Sequence, residues 1–411
     1  MGLALISVER LSHWLKNSSV LFFAYVLAIF YGNIYAKLTL PLAMFILPLL
    51  AYSLRVKSLR WQALLPSIAC FPVVIQALTG NMVVKADISV YFCFFYSMVV
   101  VLVVSKIRPD DSLVRLGVLF GSLLIGVFMV ANASLNYRPG MSFYELKNLI
   151  STPLGSSNYL AVFVLYGLVL ALYAKEWLCS VALIFAFMAT FSRTGYVMLA
   201  LAGLIYLLDS RTTIIARWPK ISCGALAIAV AAVVSFLLVT KTVLPESLAI
   251  RVSLWHAALY HIAEYPLFGT PRSEYFYIFN GLAWDPHNSI LNLLLLLGSV
   301  GTVIYLAYLY LMLSLFAKLG RDSVFWRSVY IASIVTLVWS MFEVVLLTPA
   351  YDIVMATMYG LAIASKLNRV EASVSLPSWI TEGRISAEEK KDYELISRVK
   401  AQGQRAPVSV E

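Results

Sequence analysis

Charged residues are scarce in this sequence. Asp, Glu, Lys and Arg make up 13% of the 411 residues, and 61% of the residues are hydrophobic. Soluble domains carry roughly 25% charged residues, so this deficit excludes an ordinary soluble protein and indicates a polytopic membrane protein. Apolar runs of about 20 residues, the length that crosses a bilayer as a helix, recur about twelve times. We predict spans near residues 18–36, 38–54, 61–79, 88–105, 113–131, 158–174, 177–191, 195–208, 222–243, 288–317, 325–347 and 350–365.

Several motifs of other enzyme classes are absent. The chain has no P-loop, dinucleotide-binding fingerprint, HExxH sequence or Ser/Cys triad, which excludes the chemistry that depends on them. No basic stripe with interleaved aromatic residues lies in a soluble segment, so we expect no nucleic-acid partner. The chain has only 4 cysteines, all within predicted spans, which favours buried free thiols over disulfides or metal ligands.

The distribution of positive charge predicts the topology. Lys and Arg are concentrated in the loops that share a side with both termini, so the positive-inside rule places both termini in the cytoplasm. The predicted fold is all-α and polytopic, with its largest outer loop, residues 244–287, between the ninth and tenth helices. We predict an integral membrane domain over residues 1–370 and a polar cytoplasmic tail over residues 371–411.

The outer loop begins with a pattern typical of an amphipathic helix. Residues 246–262 place Arg251 and Trp255 four residues apart on one side of such a helix. Arg272 lies farther along the same loop. An interfacial helix with a surface arginine is the alternative interpretation, and it needs no chemistry.

Two further ionisable residues lie at the edge of predicted spans or inside them, where charge is costly. Arg193 follows Ser192 in the turn between spans seven and eight. It either snorkels to the lipid headgroups or binds an anion. Glu343 falls in the middle of the span predicted at 325–347. It either braces an arginine of a site or neutralises a structural partner.

The outer loop ends in Asp285-Pro286-His287-Asn288, which places a titratable side chain at a helix start. Asp is favoured as an N-cap and Pro at the first helical position, which predicts His287 in the first turn of span ten. The helix dipole lowers the pKa of an imidazole in that turn, as a general base requires, although Asp285 could oppose the effect. A hydrogen-bonded interface histidine is the alternative.

These residues suit one kind of reaction. The outer face of a membrane normally lacks nucleotide triphosphates, so a transferase there needs a donor that is already activated. Arginines can bind a lipid diphosphate and take up charge as it leaves. A neutral histidine can accept the proton of an acceptor hydroxyl. We therefore predict glycan transfer from a lipid diphosphate; a flippase or other transporter is the alternative from another class.

Three short motifs resemble the bacterial O-antigen ligase and O-antigen polymerase superfamily. They are Ser192-Arg193-Thr194-Gly195, Arg251 with Trp255, and His287-Asn288 followed by Gly298-x-x-Gly301. The number of predicted spans, with the largest outer loop between the ninth and tenth, is more similar to the ligases. The resemblance implies a GT-C-like glycosyltransferase of the bacterial inner membrane with its active site facing the periplasm.

By this resemblance the enzyme is an inverting transferase of lipopolysaccharide biosynthesis that uses no metal and no other cofactor. Its donor would be a glycan on undecaprenyl diphosphate, and Arg193 and Arg251 would bind the diphosphate. Its acceptor would be lipid A–core oligosaccharide, with His287 as the base; membrane lipids are the other expected partners. The candidate supporting residues are Ser192, Trp255, Arg272, Asn288 and Glu343. The compact outer loop leaves an O-antigen or exopolysaccharide polymerase as the alternative.

Overall fold

The structure is a computed structural model of the chain, and it describes residues 18–32, 34, 97, 99–105, 111–150, 158–211, 246–269, 277–279 and 282–374. The helices are α1 (Ser18–Gly32), α2 (Asp111–Asn136), α3 (Phe143–Leu149), α4 (Asn158–Tyr173), α5 (Trp177–Met188), α6 (Arg193–Arg211), α7 (Glu246–Glu264), α8 (Ser289–Leu319), α9 (Val324–Trp339) and α10 (Pro349–Val374). The chain separates into two compact units, residues 1–362 and 363–411. Residues 375–411 lie outside the described part, so the polar tail stays a prediction.

Most of these helices are apolar. Two of them, Ser112–Asn136 and Ser289–Leu319, are long and apolar enough to cross a membrane, and five shorter described helices are apolar as well. These features are consistent with a helical membrane protein. The spans predicted at 38–54, 61–79 and 222–243 lie outside the described residues. The number of spans and their orientation therefore stay predictions.

A short β-hairpin follows α7 in the predicted outer loop. Strand β1 (Tyr277–Phe279) pairs antiparallel with β2 (Leu282–Trp284), and Ile278 lies opposite Ala283. The rest of the described chain has no strand. The all-α prediction omitted this hairpin because strands of three residues are too short to show an alternating pattern.

Helix α4 lies at the centre of the described bundle. It is apolar all round, and nearly every side chain from Asn158 to Ala171 is buried, as expected for a helix enclosed by others. It packs against α2, α5, α6 and α9. Ser122 of α2 donates a 2.9 Å hydrogen bond to the carbonyl of Phe163. A Cβ on Gly167 would collide with Ser122, so glycine permits this close helix contact.

Helix α8 is broken at Gly298, where φ is +61° and ψ is −172°. The break frees the N–H groups of Ser299 and Val300, which donate to the carbonyls of Pro266 and Leu267 at 2.8 and 3.2 Å. A Cβ on Gly298 would collide with the backbone of Leu267. The segment that follows α7 is therefore held against the middle of α8 through the backbone of both.

The connection between α9 and α10 is not helical. Helix α9 ends at Trp339 with Ser340 as its C-cap, and α10 begins at Pro349. The span predicted at 325–347 was therefore too long. The sequence had suggested that Glu343 lies in the middle of a membrane helix. It lies instead in this connection.

An ion pair between a buried carboxylate and a partly exposed arginine marks one end of the bundle. The Oδ2 atom of Asp209 accepts a 2.8 Å hydrogen bond from the hydroxyl of Tyr173 and lies 3.1 Å from Nε of Arg327. The ends of α4 and α6 and the start of α9 meet there. The starts of α4 and α6 and the end of α9 therefore lie toward the opposite end, where the candidate site is built.

Candidate active site

One serine fixes the connection that carries Glu343. The hydroxyl of Ser289 donates to the carbonyl of Glu343 at 3.0 Å and accepts from the N–H groups of Val345 and Leu346 at 2.9 and 3.1 Å. The N–H of Ser289 donates to the carbonyl of Ser340 at 2.7 Å. Buried backbone groups need partners that a non-helical segment does not provide by itself. The first residue of α8 supplies them, and so positions Glu343.

The carboxylate of Glu343 connects three separate parts of the chain. Only 4% of this side chain is exposed. Its Oε1 atom accepts from Nη2 of Arg251 on α7 at 3.0 Å and from Nδ2 of Asn158 on α4 at 2.8 Å. Its Oε2 atom lies 3.2 Å from Nδ1 of His287. These four residues, Asn158, Arg251, His287 and Glu343, form the Glu343 cluster. A buried carboxylate is tolerated because it is paired in this way.

His287 lies in a tight turn before α8. Its φ is +45°, in the left-handed region that is uncommon for residues other than glycine, although less so for histidine. The carboxylate of Asp285 accepts a hydrogen bond from the N–H of His287 at 3.1 Å. The indole of Trp255 donates to the carbonyl of Pro286 at 2.8 Å. These contacts hold the turn in the conformation that directs the imidazole toward Glu343.

The prediction that Asp285 caps span ten was wrong. Asn288 is the N-cap of α8, and its side-chain oxygen accepts from the N–H groups two and three residues farther on, at 2.9 and 3.1 Å. Its amide donates to the carbonyl of Met341 at 3.0 Å. His287 therefore stands outside the helix. The N–H groups expected to act on its ring are occupied by the cap.

The pKa of His287 is raised, not lowered as the sequence predicted. Burial by itself lowers the pKa of this imidazole. The hydrogen bond with Glu343 and the negative charges of Asp285 and Glu343 outweigh burial and the opposing charge of Arg251. The Oδ1 atom of Asp285 lies 3.8 Å from Nδ1 of His287. Two carboxylates on one side of the ring thus replace the helix dipole as the controlling influence.

The contact with Glu343 also selects the tautomer of His287. An ionised carboxylate only accepts hydrogen bonds, so Nδ1 carries the proton and Nε2 keeps its lone pair. The same carboxylates stabilise the imidazolium that forms when Nε2 takes up a second proton. A carboxylate that orients an imidazole and stabilises its cation is the arrangement of a general base.

Arg251 combines a fixed position with access to the surface. One guanidinium nitrogen is bonded to Glu343, and 25% of the side chain is exposed. A guanidinium has five N–H donors, so an arginine held by one of them can present others to an anion. Trp255, four residues later on α7, contacts the turn that carries His287. One side of α7 thus contributes both the arginine that binds Glu343 and the tryptophan that holds the turn of His287.

Ser192 caps α6, the helix that begins with Arg193. Its buried hydroxyl accepts from the N–H of Gly195 at 3.0 Å. The ring of Phe187, at the end of α5, lies 6.2 Å from the ring of Trp339 between centroids, which places this turn near the end of α9. The side chain of Arg193 and the whole of Arg272 lie outside the described residues, so their proposed roles stay predictions.

Two contributors to the site were not predicted from the sequence. Asn158 donates to Glu343, and Ser289 holds the backbone around it. The only signal for Asn158 was its position as a polar residue opening an apolar helix. Within the described part of the chain, no group of three His, Cys, Asp or Glu side chains is placed to hold a metal ion.

The described part of the chain is thus a helical bundle of the membrane-protein type. The ionisable side chains of Arg251, His287 and Glu343 are paired at one end of it. Residues 178–306 match the family model described as O-Antigen ligase, so this segment is similar to that family. The family resemblance seen in the sequence is confirmed, although the match does not separate ligases from polymerases. The matched segment includes Arg193, Arg251 and His287 but neither Asn158 nor Glu343. No curated protein matches the chain.

Proposed function

We propose that this protein is an O-antigen ligase, which transfers polysaccharide from undecaprenyl diphosphate to lipid A–core oligosaccharide at the periplasmic face of the inner membrane. The observation that carries the proposal is the Glu343 cluster. It joins the imidazole of His287, through the carboxylate of Glu343, to a partly exposed arginine at the same end of the bundle. The family domain over residues 178–306 supports the same reaction class.

In the proposed reaction, His287 acts as the general base. Its Nε2 atom accepts the proton of an acceptor hydroxyl as that oxygen attacks the anomeric carbon of the first donor sugar. The bond between this carbon and the diphosphate oxygen breaks, and undecaprenyl diphosphate leaves with the electron pair. Attack from the face opposite the leaving group inverts the anomeric centre. Glu343 and Asp285 stabilise the resulting imidazolium.

The arginines serve the leaving group. A diphosphate gains negative charge as the glycosidic bond breaks, and fixed guanidinium groups stabilise that charge through short, charge-assisted hydrogen bonds. Arg251 is held by Glu343 and is partly exposed, so its orientation is set before the donor binds. We assign Arg193, the first residue of α6, to the same diphosphate. The proposed mechanism needs no metal ion because the arginines supply the positive charge.

The surroundings of α7 suit a lipid-linked donor. Tyr260, Tyr265 and Phe268 are exposed on α7 and the segment after it. Aromatic side chains favour the headgroup level of a bilayer. A helix at that level places Arg251 where the diphosphate of a membrane-embedded polyprenyl chain lies. The same chemistry would serve a polymerase, in which the acceptor is another lipid-linked repeat.

A lipopolysaccharide gel from a deletion strain tests the proposal. A ligase predicts lipid A–core without attached polysaccharide, with lipid-linked polymer accumulating in the membrane. Wild-type protein should restore the ladder, whereas His287→Ala should not, at equal abundance in the membrane. Core that carries a single repeat would assign the polymerase reaction instead. An unchanged ladder in the deletion strain would contradict both assignments.

A further inference from the structure

Asn158 is a buried residue of the Glu343 cluster that lies outside the family-matched segment. It is the first residue of α4, and its side-chain amide donates to Oε1 of Glu343 at 2.8 Å. Its side-chain oxygen is buried and has no hydrogen-bond partner among the residues that the structure describes. The side chain therefore uses its donor on Glu343 and leaves its acceptor unused.

The orientation of this amide follows from the carboxylate. Because Glu343 only accepts hydrogen bonds, Asn158 must present its nitrogen to Oε1 and turn its oxygen away. A buried acceptor without a partner costs stability. An apolar side chain at the start of an otherwise apolar helix would avoid that cost. A polar residue at this position is explained if the hydrogen bond from the amide of Asn158 to Glu343 has a function.

The two oxygens of Glu343 have separate tasks. Oε1 receives Arg251 and Asn158, and Oε2 faces His287. If Arg251 binds the donor diphosphate, its guanidinium is shared between two anions and holds the carboxylate less firmly. Asn158 is neutral and buried, so an anionic ligand does not compete for it in the same way. Its hydrogen bond can keep the carboxylate from rotating while the donor is bound.

We propose that Asn158 is a positioning residue, whose amide holds the Glu343 carboxylate in the orientation that directs Oε2 to His287 Nδ1. The proposal rests on the proposed function for its catalytic meaning but not for its geometry. Asn158 acts through Glu343 and His287 and is not itself assigned to the reacting atoms. It lies in the chain 185 positions from Glu343, on the helix at the centre of the bundle.

The test is an NMR titration of the His287 imidazole in the purified protein, which requires no transferase activity. The side chains that set the pKa of His287 are Glu343, Asp285 and Arg251. Leucine is close to asparagine in volume but lacks the donor. Asn158→Leu should lower this pKa, because the carboxylate of Glu343 is held less firmly and its hydrogen bond with His287 weakens. Glu343→Gln should lower it further. In the Glu343→Gln background, Asn158→Leu should add no further shift, since both changes act on one interaction.

The activity assay then gives the second readout. If the proposed transfer is correct, Asn158→Leu should reduce kcat by about tenfold, the loss expected for one weakened charge-assisted hydrogen bond. The KM for the donor should change little. The acid limb of the pH–rate profile should move to lower pH with the pKa of His287. Ser122→Ala is the matched control, because it removes a buried hydrogen bond to α4 without touching the cluster.

The outcomes separate this proposal from the proposed function. An unchanged His287 pKa in both Asn158→Leu and Asn158→Ala would overturn the positioning role, as would equal shifts with and without Glu343. A lowered pKa in a protein that transfers no glycan would support the positioning role and count against the proposed reaction. A loss of activity equal to that of Ser122→Ala, with no shift of the pH profile, would assign Asn158 to stability alone.

Discussion

Replacing Glu343 by glutamine should lower kcat by about 10- to 150-fold while leaving the protein folded. The substitution keeps the shape of the side chain but removes the negative charge between Arg251 and His287. A hydrogen bond to a charged group contributes about 1.5–3 kcal/mol, and each 1.36 kcal/mol corresponds to a tenfold change in rate. The loss of one such bond to the imidazolium gives the expected range.

The glutamine also disturbs the tautomer. Its amide nitrogen can donate to Nδ1 of His287, which would move the imidazole proton to Nε2, where the base needs its lone pair. The pH profile should change in a defined direction. Glu343 helps to raise the pKa of His287 above the ordinary value of 6.5. In Glu343→Gln the pKa falls, and the acid limb of the pH–rate profile moves to lower pH.

The assay is transfer of glycan from purified lipid-linked donor to lipid A–core by the enzyme in detergent or proteoliposomes, measured across pH. Glu264→Gln is the matched control on α7. Glu264 also lies beside a histidine, with Oε2 at 3.4 Å from Nδ1 of His261, but it is exposed. That variant should keep wild-type kcat. Full activity of Glu343→Gln with an unshifted pH profile would refute the reasoning.

The remaining predictions concern Arg251, the break in α8 and metal ions. Arg251→Lys should raise the donor KM by about 10-fold or more, because an ammonium cannot make a bidentate phosphate contact; equal KM values would indicate a surface arginine. Gly298→Ala should lower the free energy of unfolding by about 1–3 kcal/mol from backbone strain alone. Gly203→Ala, whose Cβ meets open space, should not lower it. Equal thermal midpoints for the two variants would contradict the conclusion that the break in α8 requires glycine at position 298. Chelators should leave transfer unchanged, whereas inhibition reversed by a divalent ion would contradict the metal-free mechanism.

Local patterns in the sequence located many of the helices. The amphipathic pattern at 246–262 corresponds to α7, and the long apolar run from 288 corresponds to α8. Such elements are visible because their periodicity and length follow from burial of apolar side chains. The hairpin between them was missed, since three-residue strands carry no comparable pattern.

The details of the site depended on contacts that no local pattern reveals. Asp285-Pro286 is a good helix start, yet Asn288 forms the cap with two backbone N–H groups. Glu343 reads as part of an apolar helix, but α9 ends before it and Ser289 binds the connection. Both differences changed the expected electrostatics of His287. The side chains that raise its pKa come from its own turn and from a segment 56 positions away.

The contribution of Asn158 was beyond sequence reasoning for the same reason. A polar residue opening an apolar helix is common at a membrane edge, and its partner lies on a distant connection. The packing of α4 against α9, together with the hydrogen bonds of Ser289 to the connection after α9, brings the two side chains together.

Reconstituted transfer by purified protein tests the central claim most directly. Wild-type enzyme and His287→Ala would be given a glycan on undecaprenyl diphosphate and lipid A–core as acceptor, and donor binding would be measured in parallel. The account predicts polysaccharide joined to lipid A–core by the wild type, and donor binding without transfer by His287→Ala. Transfer at the wild-type rate by His287→Ala would contradict the account.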